Sequence, residues 1–209
     1  LMDNLYRNFN FSFANQIALL CEKIGIKSSE VIQGANKFYK RTNIAKPGPV
    51  GGPCLSKDPY IFANSLSRFE LSNDFIILSR KTNDKVVYNI SNFVTNFMKK
   101  IKKNRSKVKI KVSFLGLAFK GFPVTDDIRN SNSLEIFNLI KSKFKDAKYY
   151  CFDPIVKEKV IIENKLLYCK DYEDAFINAD VVIICNNSSE FKKLNLKKLS
   201  KTMNKNALI

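Results

Sequence analysis

The hydrophobic pattern of this chain changes period once, near Lys107, and that change constrains its fold more than any other feature. Before it, apolar residues recur at helical spacing. Leu5, Phe9, Phe13, Ile17, Leu20 and Ile24 mark a first helix, which Gly25 should end. Ser28-Ser29-Glu30 opens a shorter helix running to about Asn36. Residues 37–53 are rich in proline and glycine and read as irregular. A helix follows from Ser56 or Lys57 to about Leu66, and Asn73–Lys102 reads as one long connecting helix. After Lys107, strands are expected at Val108–Leu115, Lys148–Phe152, Leu166–Cys169 and Val181–Cys185. Helices are expected at Asn132–Phe144, with Asn132 and Glu135 as an N-cap pair, and at Tyr172–Asn178. Strand–helix alternation argues a parallel sheet. The expected class is therefore α/β, with an all-helical domain at 1–105 joined by the long helix to a parallel-sheet domain at 106–209. Leu1 enters mid-helix, and Asn206–Ile209 reads as the first half of a core strand, so both ends read as cut.

The densest chemistry lies in the run Gly51-Gly52-Pro53-Cys54-Leu55-Ser56-Lys57-Asp58-Pro59. Glycines let the backbone approach a ligand closely. A thiol at the start of a helix meets positive backbone dipole, which favours thiolate. Asp58, one turn on, would share a face with Cys54. A nucleophile with a carboxylate beside it suits covalent chemistry on a carbonyl. The plainer reading is a small buried cysteine after a structural turn. A second candidate is the loop after the first strand, holding Gly116, Lys120, Gly121, Asp126, Asp127 and Arg129. Cations near a helix N-terminus suit a diphosphate, although an ordinary solvated loop has the same composition and no G-x-G-x-x-G occurs.

Composition narrows the function classes. The net charge is +17, yet lysines are scattered with short clusters at 99–103 and 192–198, and no aromatic-and-basic motif accompanies them. Nucleic acid is not the expected partner. No apolar run reaches the roughly 18 residues that cross a bilayer, so no membrane span is expected. The five cysteines, at 21, 54, 151, 169 and 185, form no CxxC, and histidine is absent. No metal site is expected, and the pattern fits a reducing cytoplasm. Cys151, Cys169 and Cys185 sit in apolar runs and read as inert. Without histidine, acid–base work falls to Asp, Lys, Cys or water.

With its flanks, Lys46-Pro47-Gly48-Pro49-Val50-Gly51-Gly52-Pro53-Cys54-Leu55-Ser56-Lys57-Asp58 resembles the catalytic-cysteine motif of the UDP-glucose/GDP-mannose dehydrogenase family, NAD-dependent nucleotide-sugar 6-dehydrogenases. Residues 1–36 resemble the helices that open the family's central domain. Phe114-Leu115-Gly116-Leu117-Ala118-Phe119-Lys120, Asp126-Asp127-Ile128-Arg129-Asn130-Ser131 and Cys151-Phe152-Asp153-Pro154 follow the order of its C-terminal nucleotide-sugar domain. The resemblance implies a dimerising central domain bearing the cysteine, a truncated Rossmann-like UDP-binding domain, and a missing N-terminal NAD-binding domain. The family's lysine would stand immediately before Leu1, so the chain alone should be inactive.

The implied roles are residue-specific. Cys54 is the nucleophile, Asp58 helps position water, and Asn4 helps stabilise the oxyanion. Lys46, Pro47, Gly48, Pro49, Val50 and Gly51 wrap the sugar and phosphates, Lys120 contacts the nucleotide sugar, and Arg41 is donated across a homodimer formed by the central helices. Lys57 and Arg129 lie on the NAD side. Asp126 and Asp127 hold Arg129 and the loop. Gln16 departs from the family's usual Glu, and the glycine segment is one residue short, so the sugar is not specified; a UDP sugar is favoured. A non-catalytic nucleotide-sugar-binding and dimerisation module is the alternative.

Overall fold

A computed structural model describes residues 1–38, 40–105 and 108–209, with the backbone alone at Phe38. Lys107, where the period turns, lies outside the described residues. By compactness the chain divides into units of residues 1–89 and 90–209. The domain limits expected in sequence are 1–105 and 106–209.

The first unit is helical: α1 (Met2–Ile24), α2 (Ser28–Phe38), α3 (Asp58–Ser67) and the first part of α4 (Asp74–Asn104). Gly25 ends α1 in the left-handed region at φ 74°, where a side chain would be strained. The Ile26 amide then reaches back to the Cys21 carbonyl at 3.0 Å. Leu5, Ala63 and Ile76 form one core cluster, with Phe9, Phe62, Leu66 and Ile77 packed on it. Phe9 stacks on Phe75 at 4.5 Å between ring centres.

The expected apolar stripe of α1 is only partly a core face. Leu5 is buried, but Phe13, Leu20 and Ile24 are each more than half exposed. The buried side instead carries Asn8, Ala14, Asn15 and Cys21. Those amides are tolerated because each is bonded. Asn8 Nδ2 donates to Ser79 Oγ at 2.7 Å, Asn83 Nδ2 to Asn8 Oδ1 at 2.9 Å, and Asn15 Nδ2 to Asn83 Oδ1 at 2.9 Å. The network ties α1 to α4 through polar groups, which leaves apolar residues for the outer face.

The second unit is a four-stranded parallel sheet in the order β3-β2-β1-β4: β1 (Lys111–Leu115), β2 (Lys148–Phe152), β3 (Leu167–Tyr168) and β4 (Val181–Ile184). Val112 to Leu115 are buried, as strands covered on both faces must be. One face packs Leu115, Phe152, Ala175, Phe176, Val182, Phe191 and Leu199 into a cluster. Helices α5 (Asn132–Lys143), α6 (Glu158–Glu163), α7 (Tyr172–Phe176) and α8 (Leu196–Leu199) flank the sheet.

Several boundaries differ from the sequence expectation. β1 starts at Lys111 rather than Val108, because the Lys111 amide is taken by the Asp180 carboxylate at 2.9 Å and Val108 is about half exposed. Ser131, not Asn132, caps α5: its hydroxyl accepts from the Ser133 amide. β3 keeps only its two central residues. Asn206–Ile209 makes a single bridge, Leu208 to Val181, instead of a strand. α6 and α8, of six and four residues, were not legible, because each buries a single residue, Ile161 or Leu199, which is too few to show a helical period.

From β1 the sheet runs one way through β2 to β3 and the other way to β4. Such a reversal opens a crevice outside the carboxyl ends of the two strands where it occurs, here β1 and β4.

Candidate active site

The cysteine turn is shaped by Gly52, which sits at φ 90°. The Ser56 amide and hydroxyl both reach the Gly52 carbonyl, at 3.4 and 2.8 Å. The Cys54 carbonyl accepts from the amides of Lys57 and Asp58, at 3.1 and 2.9 Å. Cys54 and Asp58 therefore stand in helical i, i+4 register, their Cβ atoms about 5–6 Å apart. The regular helix begins only at Asp58, so the thiol lies one turn ahead of α3 rather than on its first residue. Cys54 is exposed, unlike the buried structural cysteine of the plainer reading. Asp58 is buried and accepts a 2.7 Å hydrogen bond from Asn4 Nδ2. Lys57 Nζ lies 3.9 Å from the other Asp58 oxygen and is mostly exposed. Three of the candidate catalytic and cofactor-side residues, Asn4, Asp58 and Lys57, thus meet at one carboxylate.

The irregular loop before the cysteine is held by carboxamides. Asn10 donates to the Asn43 carbonyl at 2.6 Å and accepts from the Ala45 amide at 2.8 Å. Asn36 pairs both ways with the backbone of Ile44, and Asn15 both ways with Gly48. Each amide offers the backbone the donor and acceptor that a neighbouring strand would. Arg41, Lys46 and Pro49 are exposed, Pro47, Gly48 and Gly51 partly so. Val50 is buried, so its side chain packs while its carbonyl faces Arg80 Nη2 at 2.9 Å.

In the second unit, the crevice at the β1–β4 reversal is lined by Ala118, Lys120, Gly121, Asp153, Asn186 and Ser188, among others, around about 360 Å³ of open space. Gly116 (φ 95°) and Gly121 bring the two loops together. A Cβ on Gly116 would fall 2.5 Å from the Asn186 amide, and one on Gly121 would fall 2.1 Å from the Ser188 backbone nitrogen. Asn187 Oδ1 accepts from the amides of Gly121 and Phe122 at 2.9 and 3.0 Å. Asp153 is buried and takes four backbone amides, from Leu117, Ala118, Ile155 and Val156, at 2.6 to 3.1 Å. It fixes the crevice floor. Lys120 is partly exposed at the mouth, its ammonium 5.2 Å from the Phe119 ring centre. Arg129 pairs with Asp127 through Nε at 3.0 Å and Nη2 at 2.8 Å. Hydrogen bonds from Arg129 hold the Asp127 carboxyl below its ordinary value.

Burial holds three of the other thiols protonated. Burial pushes Cys169 up to about 11 and Cys185 up to about 12, and Cys151 well above its ordinary value. A thiol held protonated is a poor nucleophile. Among the described residues no cluster of three His, Cys, Asp or Glu could hold a metal ion, and no helix is long and apolar enough to cross a membrane.

Sequence reasoning missed Arg80, Asn8, Asn10, Asn15, Asn36, Asn83 and the Asn186–Asn187 pair. All but Asn36, which bonds Ile44 eight residues on, act on partners 25 or more positions away. The one available signal was asparagine on the helical faces of α1.

Comparison with known proteins gives a consistent picture. Residues 1–85 match the central domain, and residues 113–209 the UDP binding domain, of the UDP-glucose/GDP-mannose dehydrogenase family. UDP-N-acetyl-D-mannosamine dehydrogenase of Methanococcus vannielii is 32% identical over the whole of this chain and 45% of its own length. The structure of the Pyrococcus horikoshii UDP-D-ManNAc dehydrogenase superposes with a TM-score of 0.75 at 30% identity, over 97% of this chain and 44% of the other. NDP-N-acetyl-D-galactosaminuronic acid dehydrogenase of Methanosarcina mazei Go1 gives 0.79 at 25% identity, over 96% and 42%. The chain spans less than half the length of these relatives.

Proposed function

Because the chain belongs to the UDP-glucose/GDP-mannose dehydrogenase family, we propose that it is the central and nucleotide-sugar-binding part of an NAD-dependent enzyme that oxidises the C6 alcohol of a UDP sugar to the uronate. The observation that carries this reading is the meeting of Asn4 with Asp58 one helical turn from an exposed Cys54. The relatives' names favour a UDP-N-acetylhexosamine over UDP-glucose.

The chemistry follows from those groups. Once C6 is at the aldehyde level, the Cys54 sulfur adds to it, forming a C–S bond and a thiohemiacetal. Oxidation of that adduct leaves a thioester on Cys54, and water cleaves it, returning the thiol and releasing the carboxylate. A thiol suits both steps, since its adduct oxidises readily and its ester hydrolyses. Asp58 sits beside the sulfur in register to align that water, and Asn4 holds Asp58 in place while presenting an amide to the developing oxyanion. In the crevice, Lys120 supplies a point charge for the diphosphate.

NAD, when bound, supplies the hydride acceptor for each of the two oxidations. Lys57 is exposed and anchored near Asp58, which fits a cation meeting the cofactor's phosphates, and the exposed Arg129 fits the same role. No G-x-G-x-x-G is present in the sequence, so these two residues would only edge the cofactor. A homodimer through the central helices is supported by Tyr6, Phe13 and Leu20, seven residues apart on α1 and each more than half exposed. The cytoplasm, where nucleotide sugars are made, is the compartment that goes with this reading.

The test is Cys54→Ser in the full-length enzyme, assayed with NAD and a panel of nucleotide sugars. Serine is a much weaker nucleophile at neutral pH, so uronate formation should stop while sugar binding persists. Normal uronate production would remove Cys54 from the mechanism.

A further inference from the structure

We infer that Arg80 is a positioning residue for Cys54, a role that rests on the reading of Cys54 as the nucleophile. Arg80 lies on α4, with its side chain only 3% exposed. Its Nη2 donates to the Val50 carbonyl at 2.9 Å and its Nη1 to the Leu55 carbonyl at 3.1 Å. Those two carbonyls bracket Gly51, Gly52, Pro53 and Cys54. The guanidinium is itself oriented by Asp84, which accepts from Nε at 3.0 Å and Nη2 at 2.6 Å.

The turn needs such a bracket. Two glycines carry little intrinsic preference, and Gly52 occupies a conformation that only glycine visits readily. The place of the thiol must therefore be imposed from outside the turn. Val50 and Leu55 anchor its two ends by burial, and the planar fork of Arg80 fixes the distance between their carbonyls. A single ammonium could not span both carbonyls and Asp84 at once. The same stretch of α4 also sets the other half of the site. Ser79 and Asn83 bond Asn8 on α1, one turn beyond Asn4. Residues 79 to 84 of α4 thus hold both the cysteine turn and the helix that presents Asn4 to Asp58. A buried arginine is a weak device for stability alone, because taking the charge out of water offsets much of what its bonds return.

The test uses Arg80→Lys, and Asp84→Asn as a milder change that keeps the guanidinium but removes its orienting charge. The first readout needs no activity: hydrogen exchange of this chain, well below its melting temperature. Amides of Gly51–Lys57 should exchange at least about tenfold faster, with the middle of α1 unchanged. The second readout is the full-length enzyme, where kcat should fall at least about tenfold and the KM for the nucleotide sugar stay within about threefold, since small misplacements of a reacting group are costly. A folded variant with unaltered exchange at 51–57 overturns the proposal, as does exchange that rises evenly over the unit, or a kcat that is retained. If Arg80→Lys fails to fold, Asp84→Asn decides by the same readouts. If Cys54→Ser remains active, the reading of Cys54 fails, while the exchange result still reports on the bracket.

Discussion

The Asn4 side-chain amide donates to Asp58 Oδ2 at 2.7 Å, joining two residues 54 positions apart. It fixes a buried carboxylate at the head of α3, where Lys57 Nζ is 3.9 Å from its other oxygen. Asn4→Ala removes that donor and one candidate contact to the oxyanion. The expected result in the full-length enzyme is a loss of about 10²-fold in kcat with little change in KM, the range found for single oxyanion donors. Steady-state NADH formation measures it, and a change confined to KM would mean that Asn4 binds substrate without serving the chemistry.

Lys120 sits at the mouth of the β1–β4 crevice, on a loop pinned by Gly121 against Ser188. Losing one charge-assisted hydrogen bond costs about 1.5–3 kcal/mol, or roughly 10- to 150-fold in affinity. Lys120→Ala should weaken the nucleotide sugar by that factor and leave NAD almost untouched. Calorimetric titration with both ligands checks the split; a loss confined to NAD would place Lys120 in another part of the site.

Among five cysteines, Cys54 alone is exposed, and burial keeps Cys169 protonated up to about 11. At pH 8, iodoacetamide should label Cys54 rapidly in the native chain, and all five thiols once it is unfolded. The same burial has a linkage consequence. The folded value of Cys169 lies above its ordinary 9.0, so this thiol keeps its proton in the folded chain and loses it in the unfolded one between pH 9 and about 11. Its stabilising share is fully present below pH 9 and is lost as pH rises through that window. Chemical unfolding midpoints at pH 8 and 10.5 should fall in that order, and less so in Cys169→Ala.

Where the second domain begins can be tested by fragment folding. Val94 and Met98, on the later part of α4, are buried, and Lys143 bonds Asn92 at 2.8 Å. A fragment of residues 90–209 should unfold cooperatively and at a higher temperature than one of residues 106–209, which lacks those side chains. Equal melting temperatures would favour the limit after the helix, at 105/106.

Much of the fold was legible because its signals are local. Gly25 ends α1, β2 has the expected ends, and α3 begins within two residues of its expected start. The site was legible only in part. Gly52, Cys54 and Asp58 declare themselves within one turn of sequence. Arg80 is 25 residues from Leu55 and 30 from Val50, and Asn10 is 33 from Asn43. A polar residue on a helix carries no periodic mark of the distant carbonyl it will meet. The same gap explains α1, whose strongest apolar stripe is largely its outer face because asparagines took the inner one.

The loop from Asn43 to Gly48 owes its shape to uncharged carboxamides, those of Asn10, Asn15 and Asn36. On a chain with net charge +17, ion pairs at this place would loosen in salt and with protonation. Amide pairs respond to neither. The segment proposed to wrap an anionic substrate can therefore keep one conformation while counter-ions gather around it and disperse, so that ionic strength governs how the substrate arrives and not the surface that receives it.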